Sequence, residues 1–78
     1  MKVFAVLLNN FNNQYEPTSL LGVFRNVNDA TRCMLNYLYQ YNDTELDKES
    51  WIEANIYTDI DTLDAFNGEI YCEMCEVM

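Results

Sequence analysis

The sequence predicts an α+β fold: a four-stranded, mostly antiparallel sheet with one main helix packed on one face, in the order β-β-α-β-β. Three observations predict it. Apolar stretches of strand character stand near the start and at the end of the chain, Lys2–Leu8 and Glu69–Val77. Between them, apolar residues recur at helical spacing from Ala30 to Tyr41. A length of 78 residues suits a single domain, 1–78, with a thin core.

Each element has its own reason. Lys2–Leu8 places Val3, Ala5 and Leu7 on one face and Phe4, Val6 and Leu8 on the other, as a central strand covered on both sides would. Asn9 to Ser19, with four Asn and Pro17, has no periodicity and predicts a loop. Leu20–Arg25 is a short second strand in which Gly22 marks a bulge or a close-packing site. Asn26 or Asn28 then caps a helix, because an Asn side chain satisfies a free first-turn N–H. Ala30, Cys33, Met34, Tyr37, Leu38 and Tyr41 form its apolar stripe over about four turns.

From Asp43 onward the pattern alternates with period two, so Trp51–Thr58 is expected to be a strand, approached by a solvated stretch or short helical turn at Asp43–Ser50. Asp59–Asn67 admits a short helix or, through Asn67-Gly68, a hairpin arm, with length favouring the helix. In Glu69–Val77, Ile70, Cys72 and Met74 share one face, and a slip of parity at Cys75 predicts a bulge there.

Charge bounds the function. Thirteen carboxylates against four basic side chains, with no His, give a net charge of −9. Such a chain does not grip a nucleic-acid backbone or an anionic membrane, both of which demand clustered Lys and Arg. The deficit is uneven. Residues 1–42 hold two acids and three bases, whereas residues 43–78 hold eleven acids against Lys48. The longest apolar run, Val3–Leu8, is too short for a signal segment or a membrane span. Three cysteines do not close a disulfide framework, so reduced thiols and a cytoplasmic location are expected.

Chemistry-bearing motifs are sparse. Cys72-Glu73-Met74-Cys75 has C-x-x-C spacing, but in a strand residues three apart point to opposite faces and the sulfurs diverge. The run Asp59-Ile60-Asp61-Thr62-Leu63-Asp64 resembles the start of a calcium loop yet lacks its Gly and closing Glu. With no His, two Gly and no base beside a nucleophile, the chain is not expected to be an enzyme, and no cofactor or metal is expected.

What remains is surface. On an extended segment residues i and i+2 share a face about 6.6 Å apart, so Glu53, Asp59 and Asp61 would stand in one row of negative charge, and Glu69 and Glu73 would share one face of the last strand. Rows of this kind suit a cleft lined with Lys and Arg that normally holds phosphates. Trp51, Tyr57 and Tyr71 would gather on the sheet face away from the main helix, exposed unless Leu63, Phe66 and the 9–19 loop fold over it.

By size, charge and poverty of catalytic residues the chain resembles the small acidic inhibitors that phages and mobile elements direct against host restriction and CRISPR nucleases. The resemblance covers composition alone and carries over no residue. It implies a non-enzymatic protein that occupies a basic, nucleic-acid-binding surface of a partner protein in the host cytoplasm, without touching nucleic acid or membrane itself. The expected partner-binding residues are Glu53, Asp59, Asp61, Asp64, Glu69, Glu73, Trp51 and Tyr57. The alternative is a structural or adaptor module that dimerises or docks through the aromatic sheet face.

Overall fold

A computed structural model describes residues 1–9, 18–67 and 69–77, apart from the side chains of Thr18 and of residues 64–67. The elements run β1 (Lys2–Asn9), β2 (Thr18–Phe24), α1 (Val27–Leu38), a 3₁₀ turn (Tyr39–Tyr41), α2 (Lys48–Asn55), α3 (Ile60–Asn67) and β3 (Ile70–Glu76). The α+β class stands, with a fully antiparallel sheet. Among the described residues the sheet has three strands, not four, in the order β2-β1-β3, with β1 at its centre. Three helices take the place of one main helix.

The missing strand is Trp51–Thr58, which is helical through Asn55. Asp47 caps the helix: its carboxylate accepts from the Ser50 amide at 3.2 Å and from the Ser50 hydroxyl at 2.7 Å. These bonds, the hydroxyl's first, hold the Asp47 carboxyl below its ordinary range. Ile52 and Ile56, one turn apart, face the core while Ala54 lies exposed. Both were also even-numbered, so a helical pair imitated alternation.

α1 forms as its pattern requires. The Asn26 side chain accepts from the Asp29 amide at 2.9 Å and donates to the Asp29 carboxylate at 2.8 Å, a reciprocal cap. The apolar stripe is broader than its spacing indicated, since Thr31 and Leu35 are also buried, and its last turn tightens into the 3₁₀ segment. The buried Thr31 hydroxyl donates to the Val27 carbonyl at 2.8 Å, so this polar group is not stranded.

Asp59–Asn67 is the short helix, starting at Ile60 with Asp59 just ahead of it. The pairing of β1 with β3 runs from Lys2↔Glu76 to Leu8↔Ile70 without a shift, so the bulge expected at Cys75 is absent. The irregularity lies instead in β2, where Val6 faces Gly22 but Leu7 faces Leu20, leaving Leu21 as the extra residue beside Gly22.

The core lies between one sheet face and the helices. Val6 and Ile70 from the sheet meet Ala30, Met34, Leu35, Leu38, Ile52 and Leu63 from the helices, all at most 6% exposed. Phe4, Leu8, Phe24 and Cys72 pack around them. Leu63 therefore belongs to this core and does not cover the outer sheet face; the Phe66 side chain and most of the 9–19 segment lie outside the described residues.

Gly22 leaves room for the Phe24 ring, because a Cβ there would stand 2.7 Å from Phe24 Cζ. Gly22→Ala must displace that half-buried ring, and a loss of about 1–3 kcal/mol in urea unfolding is expected. An unchanged unfolding midpoint would show that Phe24 is not held against the core.

Candidate functional site

Tyr57 follows α2 and is 87% exposed. Two clefts meet at its ring. One, of 280 Å³, lies between the start of α1 and the end of α2, lined by Asp29, Arg32 and Glu53 among others. The other, of 250 Å³, runs from Asn28 past Ile56 to Thr58, Asp59 and Ile60. A third, of 390 Å³, continues along the α1–α2 seam on the far side of Arg32, between Phe24, Cys33 and Glu49.

Local structure explains why acids collect at this corner. Asp29 and Asp61 occupy the first turns of α1 and α3, where the helix dipole favours negative charge. Asp59 accepts from the Asp61 amide at 3.0 Å, and its carbonyl accepts from the Thr62 and Leu63 amides, which starts α3. Glu49 and Glu53, one turn apart on α2, flank Arg32 of α1 at 3.5 and 3.9 Å. These pairs are exposed, so each contributes well under about 1 kcal/mol and leaves the carboxylates accessible. Four carboxylates, Asp29, Glu49, Glu53 and Asp59, and one guanidinium thus line the seam and the clefts at Tyr57, and Asp61 follows Asp59 in the first turn of α3. Within the third cleft, burial pushes the Cys33 thiol above its ordinary range, which makes it a poor nucleophile.

The structure divides the eight expected residues. Glu53, Tyr57 and Asp59 come together at this corner, with Asp61 bonded through its amide to Asp59, on helices and a turn, so the extended row with its 6.6 Å repeat does not exist. Asp64 lies on α3, its side chain outside the described set. Trp51 is half-buried, edge-on to Tyr39 at 5.8 Å between ring centres. Glu73 sits apart, opposite Ala5 on the outer face of β3.

Glu69 belongs to a structural knot. Its carboxylate accepts from the Tyr37 hydroxyl at 2.8 Å and from the Tyr41 hydroxyl at 3.3 Å, joining α1 to the start of β3. The Tyr37–Tyr41 hydroxyl contact, partial burial and Glu69 together push the Tyr37 phenol far above its ordinary value. A raised folded-state value means stability that is full below pH ~10 and is lost as pH climbs toward that value. Thermal scans from pH 9 to 11 should therefore show a falling midpoint, with a shallower fall in Tyr37→Phe. Identical slopes would show that the cluster contributes nothing.

The aromatic sheet face is also revised. Of Trp51, Tyr57 and Tyr71 only Tyr71 is on the sheet, opposite Leu7 on the side away from the helices. That side carries Leu20 and Val23, 60% and 54% exposed, beside half-buried Val3, Ala5 and Leu7. Cys75 is exposed while Cys72 packs on the core, so the C-x-x-C thiols diverge.

Sequence reasoning missed Asn28, Asp29 and Arg32, which tertiary packing of α1 on α2 brings to the site. The signal available was the spacing of Glu49 and Glu53, which reads as one face only if 48–55 is helical. No family model, curated protein or solved structure matches the chain. Among the described residues no helix is long and apolar enough to cross a membrane, and no cluster of His, Cys, Asp and Glu is arranged to hold a metal ion.

Proposed function

We propose that this protein is a non-enzymatic, acidic inhibitor that occupies a basic, nucleic-acid-binding surface of a partner protein in the cytoplasm, of the kind directed against restriction or CRISPR nucleases. One observation carries the reading: a tyrosine 87% exposed, standing between two clefts and rimmed by Asp29, Glu53 and Asp59. An exposed aromatic ring is an anchor of the type that dominates interface energetics. The carboxylates around it supply complementarity to Lys and Arg, which speeds encounter and selects the partner.

Partner capture from the native host should be strong at about 50 mM salt and largely lost at about 500 mM, where charges are screened within a few ångströms. Capture that is unchanged across that range sinks the electrostatic reading. It would favour a second one, association through the outer sheet face, which the exposure of Leu20 and Val23 supports. That mode is apolar, persists in high salt and is disrupted by Leu20→Lys or Val23→Lys.

A further inference from the structure

On the other side of Thr58 from the acidic corner, α1, α2 and α3 border a half-open hollow of 180 Å³. Leu35 and Leu38 of α1 and Leu63 of α3, buried core residues, contribute its apolar part, and Trp51 adds an indole ring. Its polar part is Asn42, Asn55, Thr58 and Thr62. In a chain of net charge −9, none of the described residues that line this hollow carries a charged side chain. Both amides are fixed. Asn42 donates Nδ2–H to the Leu38 carbonyl at 2.9 Å, and Asn55 donates to the Trp51 carbonyl at 2.8 Å. Each keeps its Oδ1 as an acceptor.

We propose that this hollow binds a small, neutral, single-ring aromatic molecule carrying one hydroxyl or N–H donor. The size sets the first limit: a dry cavity of about 150 Å³ accommodates benzene, and drug-sized ligands need about 300 Å³ or more. Neutrality follows from the described lining, in which a carboxylate meets no cation and an ammonium group no anion. The donor follows from the two amide oxygens of half-buried Asn42 and Asn55, since an acceptor that loses water to the ligand and gains no partner costs affinity. This proposal is independent of the acidic corner and of any protein partner.

Trp51 is the chain's one tryptophan, so its indole N–H gives a single nuclear magnetic resonance signal at the hollow. Titration of the full chain with phenol should shift that signal and the Asn42 and Asn55 side-chain amide signals saturably, with Kd about 1 mM or tighter. Toluene should bind about three- to tenfold more weakly, for want of the hydroxyl. Benzoate should not bind. Thr58→Phe and Thr62→Phe place a ring in the hollow, and each, with unchanged circular dichroism, should abolish the phenol shifts. No saturable shift up to about 10 mM phenol overturns the proposal. So does benzoate binding as well as phenol, or phenol binding retained in both folded variants.

Discussion

Replacing Tyr57 with Ala should weaken binding of the basic partner by about thirtyfold or more, the loss typical of an interface anchor worth about 2 kcal/mol. The fold should not notice. A side chain 87% exposed makes little of the core, and surface truncations of that kind stay within about 0.5 kcal/mol. Charge changes must be chosen by what each acid does locally. Glu53→Lys exchanges a 3.9 Å exposed pair with Arg32 for a solvent-screened second cation and suits the C-terminal end of α2, so it reverses the charge at little structural cost. Asp59→Lys would also remove the group that accepts from the Asp61 amide, whereas Asp59→Asn keeps an acceptor there and removes only the charge. The triple variant Glu53→Lys, Asp59→Asn, Asp61→Asn should therefore bind more weakly still, by a slower association, and unfold at nearly the wild-type temperature. Full affinity in the triple variant, measured by surface-immobilised binding kinetics, would remove this corner from the interface.

The second large effect concerns the placement of α2. Ile52→Ala should cost about 2–5 kcal/mol, because the side chain is 2% exposed and its neighbours cannot collapse fully into the space. For 78 residues total stability is about 4–12 kcal/mol, so this one change removes a large share of it. Ala54→Lys should be nearly neutral, since Ala54 is exposed on the far side of the same helix. In a strand over 51–58, residues 52 and 54 would share the covered face and both substitutions would be costly. Urea unfolding of the two variants separates helix from strand directly.

That pair of residues also shows how much of the fold was legible. α1 was readable because its stripe runs long enough to exclude any other period, and Asn26 supplies a cap by its chemistry alone. β1 was readable from its continuous apolar run and β3 from residue alternation; of the two apolar sets of β1, Phe4/Val6/Leu8 lines the core, with Ile70/Cys72 of β3. α2 was not. Eight residues with two core-facing isoleucines fit period four and period two equally, and the deciding feature, the Asp47–Ser50 cap, sits outside the apolar pattern. The site was half legible for the same reason. Glu53, Tyr57, Asp59 and Asp61 stand out as acids near an aromatic residue, but their grouping depends on a helix and a turn. Asp29 and Arg32 join them only through packing between elements. Glu69 and Trp51 lie apart from that corner, bonded to Tyr37 and Tyr41 in one case and set edge-on to Tyr39 in the other.

The central claim is that the acidic corner around Tyr57 occupies the surface on which a partner holds nucleic acid. Competition measures it most directly: the captured partner is loaded with labelled nucleic acid, and this protein is titrated in while the anisotropy of the label is followed. Stoichiometric displacement by wild type, and a shift of the displacement curve by about thirtyfold in Tyr57→Ala, is the predicted result. A ternary complex in which the nucleic acid stays bound at saturation would contradict the claim.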